Sequence, residues 1–193
     1  LTLSFFPLDT PILVSWYKHN FTEIAVKKLG FKDVRVCEKY EHIKLNGQDK
    51  CWIEPSEKYS QVDSLATFEI DGFTVFNAND CGFNQKQCNY LKKRFKTIDA
   101  VCIPSGMQGP YPAFYENLNI NQKKIESTNK KIKNFDGILN YLKTLKPETF
   151  FPFTGGAAYT GEKALLMEYC GVGTAKELEA YINKNNIPTN TVL

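Results

Sequence analysis

EIDGFTVFNANDCGF, residues 69 to 83, is the stretch that decides the fold. The aromatic and β-branched run Phe73 to Phe76 favours an extended, half-buried strand. The Asp71-Gly72 pair before it is a strong signal for a tight turn between two paired strands. Two asparagines, an aspartate and a cysteine then follow at the carboxyl end of an apolar strand, where open α/β sheets place their ligands. The stretch therefore predicts a β-hairpin that carries candidate binding residues at its end.

Outward from this hairpin, the chain alternates strand and helix signals and predicts a mixed α/β (α+β) fold in a single domain, residues 1–193. Asn20 with Glu23 and Thr174 with Glu177 have the spacing of capping boxes. A helix over 119–145 is expected to break near Asp136-Gly137. The remaining predicted elements are strands at 12–14, 33–37, 43–45, 51–53, 64–70, 99–103 and 149–153, and helices at 21–29, 83–95, 162–169 and from 174 to about 185.

Three of the predicted strands each end in an unusual loop. The loops are Asn77 to Cys81, Pro104 to Phe114 and the glycine-rich Thr154 to Gly161. If the three strands are neighbours that point the same way, their loops lie at one edge of the sheet. The pattern therefore predicts that the three loops converge on one site.

The composition excludes several classes of protein. A net charge of +3, concentrated in two lysine-rich helices, is too weak for a nucleic-acid-binding surface. No apolar run is long enough to span a membrane, and no secretory signal is present. Six cysteines without a CxxC pair are typical of free thiols in a reducing compartment. We therefore expect a cytoplasmic protein that acts on a small molecule, without a nucleic-acid or membrane partner.

Asp80 is the leading candidate for a functional carboxylate. The alternative is that it caps the following helix or closes a local turn, since aspartate is common at both positions. Asn77 and Asn79 either line a polar pocket or shape the same turn. His19 and Asp63 are further candidates for a metal site, each with a plain structural alternative on the surface or at the start of a strand.

Two further loops carry candidate substrate-binding residues. Tyr111 and Tyr115 could stack on a base or a sugar face, or pack on each other as the core of their own loop. Gly155 and Gly156, after Thr154, permit the close backbone approach found in anion-binding loops. The lysine run from Lys123 to Lys133 is interpreted as a solvated helix face.

The order and spacing of these motifs resemble a known family. DSLATFEIDGFTVFNANDCGF, followed by DAVCIPSGMQGPYPAFYENL, resembles the second half of proteins with the metallo-β-lactamase fold, nearest the branch that contains CMP-N-acetylneuraminate hydroxylase. FPLDTPILVS and KKLGFKDVRV resemble the stretch that follows the first metal motif of the family. The resemblance implies that this chain is the C-terminal portion of a four-layer αββα sandwich with a metal site at the sheet edge.

The resemblance assigns roles and also shows departures. Asp80 matches the carboxylate that bridges two metal ions in the family, which implies a divalent metal cofactor of zinc, iron or manganese, with two ions in the complete protein. Asp63 stands near the place of a ligand histidine, and Thr154, Gly155 and Gly156 stand where another is often found. The His-x-His-x-Asp-His motif is absent.

These departures lead to an expectation about partners and to three hypotheses about function. The expected partner is a missing N-terminal segment of the same fold or a second copy, because half of a sandwich would expose an apolar sheet face. The first functional hypothesis is a metal-dependent hydrolase acting on a phosphorylated or sugar-nucleotide-like substrate. The others are an iron-dependent sugar-nucleotide oxygenase module and a non-catalytic binding member of the fold.

Overall fold

The computed structural model describes residues 2–57, 63–80, 82–106, 109–153 and 159–193. Its contacts divide the chain into two compact units, Leu1–Gln87 and Cys88–Leu193, here called unit 1 and unit 2. Helix α2, Gln85–Arg94, includes the boundary between them. A short 3₁₀ helix, Thr2–Phe5, begins the chain.

Unit 1 contains an antiparallel sheet with the strand order β3–β4–β5–β6. The predicted turn between β5 and β6 is confirmed: Asp71 and Gly72 both have positive φ, 50° and 84°, as a type I′ hairpin requires. Glycine and aspartate tolerate this left-handed conformation, which explains why the sequence signal is reliable. The strands are β3, Ile43–Lys44; β4, Lys50–Pro55; β5, Ser64–Ile70; and β6, Phe73–Asn77.

The two faces of this sheet differ in chemistry and in burial. Residues directly opposite each other in the strand register point to the same face. One face presents Trp52, Thr67 and Phe76, which are paired across β4, β5 and β6 and are all buried. The Phe76 ring meets the Phe83 ring edge-on at 5.3 Å between centroids. Polar groups on this face, including Glu54 and Thr74, are also buried.

The opposite face, here called the apolar face, consists of Ala66, Phe68 and Ile70 on β5 and Phe73 and Val75 on β6. None of these side chains is buried, and Phe73 is 62% exposed. Antiparallel sheets that face water normally turn their polar side outwards. Here the more apolar side is the open one.

A second, two-stranded parallel sheet lies on the β4 end of this same face. It pairs β1, Ile12–Ser15, with β2, Val34–Cys37. The Ser15 hydroxyl donates to the Ile53 carbonyl of β4 at 3.4 Å. Helix α1, Phe21–Lys28, connects the two strands and is capped by the Asn20 side chain, which accepts from the Glu23 amide, the first of the two hydrogen bonds of the predicted capping box.

Two buried thiols in these layers should make the stability of the fold depend on pH. Burial raises the pKa of Cys37 to about 11 and that of Cys51 to about 12, the latter also because Cys37 is near. Between pH 9 and these values an unfolded thiol loses its proton while the folded one keeps it. The protonated thiols therefore stabilise the fold fully below pH 9, and this contribution is lost as pH rises, by about 1.4 kcal/mol per pH unit and thiol.

Urea unfolding of the parent and of the Cys37→Ala/Cys51→Ala variant, from pH 8 to 10.5, measures this dependence. We expect the free energy of unfolding of the parent to fall more steeply above pH 9, because the variant lacks both groups. Parallel curves would show that these thiols titrate alike in the folded and unfolded chain.

Unit 2 contains three parallel strands in the order β7–β8–β9. They are β7, Ala100–Pro104; β8, Thr149–Phe153; and the short β9, Asn190–Thr191. Val101 and Phe150 lie opposite each other in the register and are fully buried. Strands of a parallel sheet that is covered on both faces are apolar along nearly their whole length. The apolar run DAVCI, residues 99–103, was therefore a reliable signal for a buried strand.

Helix α3, Ile120–Leu145, is continuous, so the predicted break near Asp136-Gly137 is wrong. A glycine inside a helix costs only about 1 kcal/mol relative to alanine. Burial of the apolar side chains that flank Gly137 outweighs this cost. These side chains are Phe135, Ile138, Leu139, Leu142 and Leu145.

The chain after β8 folds back onto α3. It forms a 3₁₀ helix, Gly161–Tyr169, where a helix over 162–169 was predicted, and then α4, Ala175–Lys184, with the predicted Thr174–Glu177 capping box. Between them, Gly173 lies so close to α3 that a Cβ at this position would be 2.3 Å from the Phe135 ring. The segment after the 3₁₀ helix is therefore pressed directly against α3.

The lysine run of α3 is not only a solvated face, so that prediction is wrong for three of its members. Lys123 donates to the Ala113 carbonyl at 2.8 Å. Lys130 donates to the carbonyls of both Tyr111 and Cys170, each at 2.8 Å, and burial lowers the pKa of its amine. Lys131 forms an ion pair with Glu177. Long basic side chains thus attach neighbouring segments to the helix.

In the described part of the chain, none of the helices has the length and hydrophobicity needed to span a membrane. The five described cysteines, Cys37, Cys51, Cys88, Cys102 and Cys170, are free thiols, as the sequence predicted.

Candidate metal centre

Three segments of unit 1 meet at the start of β5 and form what we call the β5 edge: residues 17–20, 63–64 and 77–80. The Tyr17 hydroxyl donates to the Asp63 carbonyl, which brings the loop between β1 and α1 to this point. The Asn79 side-chain amide donates to the Ser64 carbonyl at 3.0 Å. The predicted metal residues His19, Asp63 and Asp80 therefore belong to segments that share one edge.

The two asparagines shape the turn that follows β6. The Asn77 side chain accepts from the Asn79 amide at 2.9 Å, which is an Asx-turn. Asn79 itself has a left-handed conformation with φ of 53°, which asparagine tolerates. These contacts are the structural alternative that the sequence left open for both residues. A role in substrate binding for either one stays a prediction.

Asp80 does not serve either of the local roles that the sequence left open for it. The first turn of α2 is capped by Asn84, whose side chain accepts from the Gln87 amide at 2.9 Å, and the Asx-turn belongs to Asn77. Asp80 is exposed and makes no hydrogen bond or ion pair with any residue that the structure describes. Its carboxylate is thus presented to solvent from a turn that other side chains hold in place.

Two buried polar residues organise this edge and were missed in the sequence. The Ser56 amide donates to the Asp63 carbonyl at 2.9 Å, and its hydroxyl donates to the Gly82 carbonyl at 2.6 Å. The Gln87 side chain donates to the Pro55 carbonyl at 3.1 Å. Asn84 followed by Gln87 has capping-box spacing, and this signal could have identified Gln87 in advance.

The described residues do not form a complete metal site. Asp63 is half-buried, and His19 is exposed, with its ring 6.1 Å from that of Phe21. Outside the gaps at 58–62, 81, 107–108 and 154–158, no three His, Cys, Asp or Glu residues are grouped closely enough to hold a metal ion. Asp80, Asp63 and His19 share an edge but are not, by themselves, a ligand set.

The remaining predicted site residues lie in unit 2 or outside the described residues. Tyr111 and Tyr115 meet edge-on at 5.0 Å between ring centroids. The Tyr111 hydroxyl donates to the Glu126 carboxylate at 2.5 Å, and this bond raises the pKa of the tyrosine. The pair thus packs on itself and on α3, the structural alternative for this loop, and a role in substrate binding stays a prediction. Thr154, Gly155 and Gly156 lie outside the described residues.

Two of the three loops that were predicted to converge do lie together. The Phe114 ring, after β7, meets the Tyr159 ring, after β8, at 4.8 Å. Both pack against the buried residues Ala113, Tyr169 and Cys170. The loop after β6 belongs to unit 1, and its convergence with the other two stays a prediction.

No protein-family model matches this chain, and no curated protein sequence does. Among solved structures, CmlA, a diiron β-hydroxylase from Streptomyces venezuelae, is similar over 94% of this chain, with a TM-score of 0.59 and 11% identity. A single-residue mutant of the same β-hydroxylase gives a TM-score of 0.60 over 95%. A Thermotoga maritima protein, assigned to the Zn-dependent hydrolases of the metallo-β-lactamase superfamily, gives 0.45 at 14% identity, over 90% of this chain and 74% of its own.

The likeness to CmlA concerns the fold alone, because the two sequences are only 11% identical. This chain has the mixed α/β architecture that its motifs predicted, and its fold is similar to that of CmlA. It spans 38% of the length of CmlA.

Proposed function

We propose that this protein is a metal-dependent enzyme and that Asp80 is one of its metal ligands. The observation that carries the proposal is the position of Asp80: an exposed carboxylate at the carboxyl end of β6, in a turn whose capping roles belong to Asn77 and Asn84. Serine or asparagine could fill any capping or turn-forming role at this position, so the fold itself does not require an aspartate here. Carboxylate oxygens are ligands for zinc, manganese and iron.

The described residues around Asp80 are proposed to position it as a metal ligand, and they do not complete the metal site. Ser56, directly after β4, donates to the Gly82 carbonyl, and Asn79 donates to the Ser64 carbonyl at the start of β5, so the turn that carries Asp80 is held on both sides before any ion binds. Asp63 is the second carboxylate of the same edge. Because the described residues do not form a full ligand set, the proposal requires donors beyond them for the two divalent ions.

The first candidate reaction is hydrolysis of a phosphorylated or sugar-nucleotide-like substrate, the chemistry that the family resemblance of the β6 motif implies. A bound divalent ion would supply Lewis-acid polarisation and an activated water. Asn77 and Asn79 carry the polar side chains closest in sequence to Asp80 and are proposed to contact such a substrate.

The second candidate is an iron-dependent oxygenase. The specific support is the likeness to CmlA, whose description is a diiron β-hydroxylase and whose fold matches 94% of this chain. The two candidates require different metals, so the metal found in the purified protein separates them. Zinc or manganese supports hydrolysis, and iron supports oxygenation.

We expect Asp80→Asn to weaken metal binding by at least about tenfold, because loss of an outer-shell group alone typically costs 10- to 100-fold. The measurement is metal content by plasma mass spectrometry, after dialysis against a chelator series, on the complete protein from its source. Asp71→Asn is the matched control: it removes a carboxylate from the other end of β6, at a left-handed position that asparagine tolerates.

An Asp80→Asn variant that retains metal as well as the parent would remove Asp80 from its proposed role. A parent protein that contains no metal would contradict both enzymatic candidates and leave the non-catalytic member of the fold.

A further inference from the structure

Unit 2 contains a surface groove, here called the α3 groove, that none of the described candidate residues lines. Its volume is about 620 Å³, within the range of about 300–1,000 Å³ that is typical of small-molecule sites. Two segments form it, residues 118–123 at the start of α3 and the 3₁₀ helix Gly161–Tyr169. The lining side chains are Leu118, Asn119, Ile120, Asn121, Lys123, Leu165, Leu166 and Tyr169.

The inner wall of the groove rests on the packed interior of unit 2. Tyr169 is buried in one cluster with Ala113 and Cys170, and Leu166 packs against that cluster. The Lys123 amine donates to the Ala113 carbonyl at 2.8 Å, which fixes the start of α3 beside the same cluster. Because both segments are held by these contacts, the groove exists before a ligand binds, and binding does not have to order its walls.

The segments that pack around this cluster follow the carboxyl ends of two parallel strands. Phe114 comes after β7 and Tyr159 after β8, and both side chains pack against the cluster. Sheets of α/β proteins place ligands in the crevice outside the carboxyl ends of their strands. The α3 groove therefore lies in the part of unit 2 where such a sheet binds small molecules.

The lining of the groove has two chemically different parts. Leu165 is 79% and Ile120 59% exposed, so the groove leaves apolar surface in water that an apolar ligand body would cover. The polar side chains, Asn119, Asn121 and Lys123, all belong to the start of α3. Among the described lining residues Lys123 is the one ionic side chain, and its ammonium group has two N–H donors beyond the one that it gives to the Ala113 carbonyl. The complementary ligand is therefore apolar at one end and anionic at the other.

We propose that the α3 groove binds a small amphipathic acid, with its carboxylate on Lys123 and an aliphatic or aromatic body against Ile120 and Leu165. A neutral apolar ligand would cover the Lys123 amine without giving it an acceptor, which is costly. A second copy of the chain or another protein fits less well, because stable protein interfaces involve about 20–30 residues a side and eight line the groove. The groove lies in a different unit from Asp80, and the proposal does not depend on metal binding.

The test is a titration of the isotope-labelled complete protein with octanoate, followed by the amide chemical shifts in nuclear magnetic resonance spectra. We expect a dissociation constant of about 1 mM or tighter, with the shifts centred on residues 118–123 and 165–169. Octanol has the same tail without the charge and should bind at least about fivefold more weakly, because it lacks the charge-assisted hydrogen bond to Lys123. Butyrate has the charge with little tail and should not bind measurably.

Three variants locate the site. Leu165→Glu should weaken octanoate binding at least about tenfold, because it removes an apolar contact and places a second carboxylate beside that of the ligand. Ile132→Glu is the matched control, since it makes the same kind of change at an exposed apolar residue of α3 that does not line the groove, and it should bind octanoate like the parent. Lys123→Gln should remove the preference for octanoate over octanol. If Lys123→Gln fails to fold, Leu165→Glu still tests the groove, because its position is exposed.

An absence of shifts with octanoate, shifts centred outside the groove, or equal binding of octanoate and octanol would each overturn the proposal. Equal losses in the Leu165→Glu and Ile132→Glu variants would overturn it as well. Shifts at the groove that appear when the concentration of the protein alone is raised would identify a second copy as the occupant, which also contradicts the proposal. A metal-free protein that binds octanoate at the groove would contradict the proposed function while supporting this inference.

Discussion

Replacing Phe76 with alanine should lower the free energy of unfolding by about 3–5 kcal/mol, the range for buried phenylalanines. Phe76 is fully buried in β6, with its ring edge-on to that of Phe83. The cost combines the lost transfer of apolar surface from water with the cavity that remains, since Thr67 opposite it on β5 is small and fixed in a strand. Urea or thermal unfolding followed by circular dichroism measures the change.

Phe73→Ala is the matched control, because it makes the same substitution at the other end of the same strand. Phe73 lies on the apolar face and is 62% exposed in the 193-residue chain. Its removal from that chain should cost less than about 1 kcal/mol, since little of the ring leaves a packed environment. Equal losses for both variants would contradict the assignment of the buried face.

The second large effect is expected at Gly173, where alanine should destabilise the protein by about 2–3 kcal/mol or more through overpacking. A Cβ there would lie 2.3 Å from the Phe135 ring and 3.1 Å from the Lys131 side chain. Phe135 is 4% exposed, and its ring also lies 5.4 Å from that of Tyr181, so its displacement would disturb a buried contact. The segment from Cys170 to Thr174 would have to shift away from the helix.

Gly137→Ala supplies a control with the opposite sign. Apart from its chain neighbours and the backbone of α3 itself, no described atom lies within 4 Å of a Cβ at position 137. Alanine should therefore stabilise the protein by about 0.5–1 kcal/mol, the difference in helix preference between the two residues. Chemical unfolding of the two variants and the parent, side by side, decides the matter. If both Gly173→Ala and Gly137→Ala destabilise the protein, the space around each Cβ does not determine the effect of the substitution.

Much of the fold could be predicted because its signals are local. The Asp71-Gly72 turn, the Thr174–Glu177 capping box and the apolar run of β7 each depend on residues a few positions apart, and each is found where predicted. The break expected at Gly137 failed for the opposite reason. A local preference was outweighed by packing against distant residues, which the sequence of one helix does not show.

The candidate site could be predicted only in part. The position of Asp80 at the end of β6 follows from strand and turn signals. The capping-box spacing of Asn84 and Gln87 pointed to Asn84 as the cap of α2, but Asp80 suits a cap as well, and the choice depends on where the helix begins. The roles of Ser56 and Gln87 depend on hydrogen bonds between segments about 30 residues apart.

The amine of Lys130 has a consequence that extends beyond its two hydrogen bonds. One side chain holds the main chain at Tyr111 and at Cys170 simultaneously, so the segments that follow β7 and β8 have this anchor in common. Displacement of either would release a donor that the other depends on, and the two should loosen as one cooperative element. In hydrogen-exchange experiments, the amides around both carbonyls should therefore open with a common rate.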